Sequence, residues 1–353
     1  MHWGTLALVL GFGLALPAHA IEADKITVNG YISFEFEKQI EKAGKGGGDP
    51  NFSFDADLFD LVFNFQVADR VRAAADMTWE HGAASEDERG NVALEYGFVE
   101  YVVSDLFKVR FGKMFTPFGI FNEIHTAKPA FLLVKEAAGT NKPERIIEAG
   151  YRFFPRWGTG IALRGDGVLG ENYFDYDILI ANGEQENTNP FEEDDNKAKS
   201  ITARLRFDPS SSVHLGNSFY FDKITEPGID YLLSEGVAVE FARGELRLLA
   251  EAVVGFKKPS SGSVVKQLGW FVQPSYHFSS GATPYLRFDY VDPDLNEGNN
   301  YGFDLIVGVH YEFDGGLIAK VEHNYYKGAE GSSLGAFPAN DYNEIKAAVV
   351  LGF

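Results

Sequence analysis

The chain has 353 residues, 45% hydrophobic and 23% charged, with 51 acidic side chains against 31 Lys and Arg and a formal net charge of -20. It has no cysteine, which excludes disulfide staples, Cys-ligated zinc, iron–sulfur clusters, Cys nucleophiles and covalent c-type haem. The acidic balance excludes nucleic acid as a natural partner, because phosphate recognition needs clustered basic charge.

The chain opens on an apolar run from Thr5 to Leu16, followed by Pro17-Ala18-His19-Ala20. This reads as a secretory signal peptide over 1–20 with cleavage after Ala20, the alternative being a buried N-terminal helix. The run is too short for a membrane anchor, and beyond Ile21 no apolar stretch approaches 18 residues, so a helical membrane protein is excluded.

From Ile26 onward the pattern has period two, the signature of strands with one apolar and one wet face. Ile26, Val28, Ile32, Phe34 and Phe36 alternate with Thr27, Asn29, Tyr31, Ser33 and Glu35. The alternation returns in Phe59–Val67, Val71–Glu80, Phe107–Phe111, Ile201–Phe207, Leu246–Ala252, Leu286–Tyr290 and Phe303–Phe313. It ends with Ile345, Ala347, Val349, Leu351 and Phe353 on one face, and Glu344 and Lys346 on the other.

Connectors alternate between short and long. Short turns fall at 68–70, 104–105, 167–171, 208–212, 243–244, 279–281 and 314–315. Long loops fall near 38–51, 82–90, 116–156, 183–198, 222–233, 256–265, 293–301 and 327–341. With aromatics clustered near strand ends, this describes a transmembrane antiparallel β-barrel over 21–353, of sixteen strands with both termini periplasmic. Eighteen strands is the alternative, and a soluble β-sandwich is the competing use of the same periodicity. The segment 146–153 also alternates but is assigned to the long third loop, because counting it as a strand makes the total odd.

The third loop carries Phe118, Ile120, Phe121, Phe131, Leu132, Leu133 and Val134 among Lys128, Lys135, Lys142, Arg145 and Arg152. A connector this long and apolar is expected to fold inward and narrow the channel, with an external lid or oligomer contact as the other reading. Lumen candidates on the wet strand faces are Lys108, Arg110, Lys113, Arg164, Arg204, Arg206, Arg247, Arg287, Lys320 and Lys346. They face an acidic set that includes Asp60, Asp76, Glu80, Glu95, Asp175, Asp177, Glu240, Glu251, Asp289, Asp304, Glu312, Glu322 and Glu344. The bland reading of both sets is a salt-bridged inner wall. The run Glu192-Glu193-Asp194-Asp195 reads as a solvated loop, with a Ca2+ site bridging lipopolysaccharide as the alternative. No other metal and no cofactor is expected.

Four stretches resemble the phosphate-selective porin O/P family of bacterial outer membranes. They are Val109-Arg110-Phe111-Gly112-Lys113-Met114-Phe115 running into Thr116-Pro117-Phe118-Gly119; Ala181-Asn182-Gly183 followed by Ser200-Ile201-Thr202-Ala203-Arg204-Leu205; Phe241-Ala242-Arg243-Gly244-Glu245-Leu246-Arg247; and Arg287-Phe288-Asp289-Tyr290 after Pro284. The likeness spans roughly 90–353. It implies sixteen strands, a homotrimer in outer-membrane lipid and lipopolysaccharide, and a channel for small ions and solutes narrowed by inward loops. Phosphate selectivity through an arginine ladder and a lysine cluster, as in some members, is an option that the acidic lumen set opposes.

Two rivals stand beside the passive porin. An outer-membrane enzyme would need a Ser–His pair in contact. The best same-face pair, His214 and Ser218, is four residues apart on one strand, about 13 Å by strand rise. A shell or anchor around a redox or surface partner would use the barrel as a sheath.

Overall fold

The computed structural model describes residues 25–40, 52–80, 92–143, 146, 152–183, 198–223, 228–327 and 342–353. The expected signal segment 1–20 and the acidic run Glu192 to Asp195 lie outside the described residues.

Sixteen strands follow one another in chain order. The first eight are β1 (Ile26–Ile40), β2 (Phe52–Ala68), β3 (Val71–Glu80), β4 (Val92–Ser104), β5 (Phe107–Phe115), β6 (Trp157–Leu169), β7 (Asn172–Asn182) and β8 (Lys199–Ser210). The second eight are β9 (Val213–Asp222), β10 (Ile229–Arg243), β11 (Leu246–Pro259), β12 (Val265–Tyr276), β13 (Ala282–Asp292), β14 (Gly302–Glu312), β15 (Leu317–Lys327) and β16 (Tyr342–Gly352). Each pairs antiparallel with its neighbours in sequence, and β1 pairs with β16, so the sheet closes on itself without a free edge. The strand count expected from connector parity is the observed one, and among the described residues no strand lies between the end of β5 at Phe115 and the start of β6 at Trp157.

Closure decides what each face meets. The apolar faces point outward and are open, with Val307 and Val321 each 55% and Val349 49% exposed. The polar faces point inward and are enclosed, with Asp304 at 0%, Lys320 at 1% and Glu322 at 2%. The molecule is inside-out relative to a sandwich, whose apolar faces would be buried. Aromatic pairs band both ends of the outer face. Near the short turns stand Tyr276–Phe278 and Tyr311–Phe313, with ring centroids 4.9 and 4.6 Å apart. Near the long connectors stand Phe34–Phe54 and Trp270–Tyr290, at 5.8 and 5.7 Å.

Both ends of the barrel chain lie at the short-turn rim. Gly30 and Phe353 exchange both backbone hydrogen bonds, at 2.8 and 2.9 Å. A side chain at Gly30 would collide with the Phe353 ring, so the last residue closes the seam only over a glycine.

Candidate functional site

The lumen is built from two parts: the inward faces of the strands and the connector 116–156. The connector enters the barrel. Its neck is tied by Thr116 N–H donating to the Arg156 carbonyl (2.9 Å), and the Asn122 amide donates to the carbonyls of both Thr116 (2.7 Å) and Arg156 (2.9 Å). The expected motif Thr116-Pro117-Phe118-Gly119 forms the first bend. Gly119 takes φ +62 and lies against the Glu251 carboxylate, where a Cβ would not fit. Its N–H donates to Ser218 Oγ (3.1 Å), and the next N–H, of Ile120, donates to Glu251 Oε2 (2.6 Å).

Apolar side chains of the connector are enclosed inside the barrel, in clusters with residues of the wall. Phe118 stacks on Phe154 with centroids 4.1 Å apart, in a cluster with Phe153, Tyr220, Leu232 and Val253. Phe121, Phe131 and Leu133 pack against Phe271, Tyr285 and Ile306, and Val134 against Ile318, Ala348 and Val350. Enclosing each of these large side chains stabilises the inserted form by about 1.5–3 kcal/mol.

Charge fixes the rest of the connector. Lys128 pairs with Glu35 (2.9 Å) and Asp57 (3.0 Å), and Lys135 pairs with the same two carboxylates. Lys320 donates to the carbonyls of Lys128, Phe131 and Leu133 at 2.7, 2.6 and 2.7 Å, which uses all three ammonium donors. Arg287, fully enclosed, is held by Asp289 at 2.7 and 3.1 Å between the rings of Phe121 and Phe271. Asp289 in turn accepts the Gly139 N–H (2.7 Å).

Three connector groups are electrostatically displaced. Burial holds the His125 imidazole below its ordinary range, and the Arg156 charge adds to this. Burial alone would raise the Glu136 carboxyl, yet Arg156, 2.8 Å away, and Lys142 hold it well below the usual carboxylate range. Burial would depress Lys135, but Glu35 and Asp57 raise it above the ordinary lysine value.

The sequence-derived cations divide unevenly. Lys108 pairs with Asp166, and Arg110 with Glu100 (2.8 Å) beneath the Phe98 ring. Arg164 pairs with Asp177; Arg204 pairs with Asp177 (2.8 Å) and Glu123; Arg206 pairs with Asp175 (2.8 Å). Lys113 stands apart from Lys108 and Arg110. Register sets it opposite Gly97, in phase with Val109 and Phe111, and its ammonium donates to the Leu94 carbonyl and lies over Trp157. Arg247 faces the lumen near the short turns and forms no ion pair among the described residues. Arg145 lies outside the described residues.

The carboxylates that neutralise this set were the part sequence reasoning missed. Glu35, Asp57, Glu100, Glu123 and Asp166 all pair with a proposed lumen cation. For Glu100 and Arg110 counting outward from the turn misses by one residue, because a register shift between Val102 and Ser104 is what brings the two opposite each other. For Glu35 and Asp57 no signal existed, because their partners arrive from the folded-in connector.

The inserted connector divides the lumen. On the long-connector side a cavity of about 500 Å3 is lined by charged groups of both signs, among them Glu80, Glu95, Lys142 and Arg152. On the short-turn side lie two cavities of about 570 and 280 Å3, roofed by Ile120 and Ile124.

No family model and no curated protein matches this chain in sequence. Solved structures do match. An anion-selective porin from Comamonas acidovorans superposes with a TM-score of 0.67 at 11% identity, covering 93% of this chain and 99% of that one. OmpF of Salmonella typhi, in complex with daunomycin, gives 0.67 at 11%, covering 94% and 99%. The outer-membrane channel DcaP of Acinetobacter baumannii gives 0.63 at 12%, covering 95% and 99%. At these identities the likeness establishes a shared sixteen-stranded barrel fold.

Proposed function

We propose that this chain is a bacterial outer-membrane porin, forming a water-filled channel for passive diffusion of small ions and solutes. The observation that carries the reading is the inside-out barrel: an apolar, aromatic-banded outside, a charged inside, and a long connector folded into the bore with cavities on both sides of it. Such an outer face needs a lipid surround, and such a lumen conducts unless plugged. The porins and the channel that share the fold support it. In this reading the signal segment is removed after Ala20, both termini are periplasmic, the short turns face the periplasm, and the chain assembles as a homotrimer among lipid and lipopolysaccharide.

An anion or phosphate preference draws on the motif resemblance and on the selectivity named for the Comamonas acidovorans porin. The ion pairs weigh against it, because a cation already held by a carboxylate offers little net field to a passing anion. The rivals fare worse. A sheath needs its bore free for a passenger, and here the described residues of 116–156 occupy part of it. His214 and Ser218 are separately engaged, His214 with Asp208 (2.8 Å) and Ser218 with the Gly119 N–H (3.1 Å).

Liposome swelling tests the proposal. Vesicles carrying the refolded protein should admit small sugars faster than larger ones. Vesicles no leakier than protein-free controls would sink it.

A further inference from the structure

We infer that the channel prefers cations, and that Glu240 is a specificity-determining residue for that preference at the short-turn mouth. The inference rests on the channel reading above and adds the class of permeant ion.

Two observations combine. The first is the pairing of the wall cations. Five of the wall guanidinium groups, Arg110, Arg164, Arg204, Arg206 and Arg287, contact a carboxylate. Their charge is cancelled locally, so net field in the bore comes from the groups left over, the carboxylates set against Arg247.

The second is where the surplus stands. The 570 Å3 cavity beneath the connector is lined by Glu240, Glu245 and Glu312, with Arg247 as its guanidinium. In the adjoining 280 Å3 cavity Glu123 and Asp175 are matched by Arg204 and Arg206, which leaves Asp208 and Glu240. Glu240 therefore lines both cavities. It stands on β10 opposite His214, on the inward face, and forms no ion pair among the described residues. Above it the roof is apolar, made by Ile120 and Ile124, with Phe121, Phe131 and Leu132 over the larger cavity. A low-dielectric roof over an acidic mouth focuses the field and concentrates counter-ions. One unit charge about 7–8 Å from an ion in water changes its local concentration about twofold.

The test is the reversal potential of the full-length protein in planar bilayers across a KCl gradient. It is run near 0.01 M, where the Debye length of about 30 Å leaves screening weak, and at pH 8, above the ordinary imidazole range. The wild type is expected to favour K+ over Cl−. Glu240→Gln is expected to lower the permeability ratio about twofold, and Arg247→Gln to raise it by a similar factor. The opposite signs separate a field effect from a folding defect, which would move both variants the same way. Anion preference in the wild type, or ratios unmoved in both variants, would overturn the inference while leaving the channel intact. Absence of any current would overturn the channel reading itself.

Discussion

Lys320 illustrates how single residues govern the bore. Its ammonium sits on the barrel wall, and its three carbonyl acceptors all belong to the connector. Replacing it with Met keeps the length and removes every donor. Three enclosed carbonyls then lack partners, at about 1–3 kcal/mol each. That stretch of connector should detach where water can reach it, while the strand ladders of β14 to β16 persist. Lys320→Met is predicted to raise single-channel conductance without loss of the folded, heat-modifiable band on gels; unchanged conductance would mean the latch is redundant. Gly119 acts by shape instead. At φ +62 and against Glu251 it admits no side chain without strain. Gly119→Val is predicted to unseat the first bend and make 116–156 sensitive to added protease, a change visible as a new cleavage product.

At the scale of elements, the connector behaves as an internal core supplied to a barrel that has none. Its Lys128 and Lys135 are matched to carboxylates of the wall, while its Glu136 is matched to Arg156 and Lys142 within the connector, and this second set gives the inserted fold a pH dependence. Glu136 has its carboxyl held well below the ordinary value by Arg156 and Lys142, against the effect of burial. A depressed carboxyl contributes stability that is complete above its unfolded value and is lost as pH falls through the folded one. The seat should therefore survive acidification through about pH 4.3, the ordinary Glu value, and loosen only below it. Conductance recorded stepwise from pH 7 to 3 should be flat at first and then rise; a rise beginning near pH 6 would implicate a different group. The strands themselves were legible in the sequence, because alternation such as Phe303 to Phe313 reports which face is apolar whatever the fold outside it. The connector's inward course was also legible, since Phe118, Phe121, Phe131 and Leu133 need cover. Its partners were not. That Lys128 and Lys135 meet Glu35 and Asp57 depends on a path through space which local periodicity does not encode. The lumen cations were readable as members of an inward-facing, salt-bridged wall, but the carboxylate each one meets was not.

For the whole molecule the seam between β1 and β16 is the step that converts a sheet into a barrel. Phe353 makes the last backbone exchange with Gly30, and its ring covers that glycine. Removing Phe353 is predicted to lower the temperature at which the folded band is lost on gels, since the terminal pair of the seam goes unmade. No shift would show that the seam is held by the upstream pairs alone. The central claim is a wide barrel narrowed by its own third connector, and it is tested most directly by single-channel conductance in planar bilayers. The wild type is compared with a variant in which 120–153 is replaced by a short Gly-Ser link across the tied neck of Thr116 and Arg156. The account predicts discrete conductance steps for the wild type and distinctly larger ones for the excised form. Equal steps in both, or none in either, would contradict it.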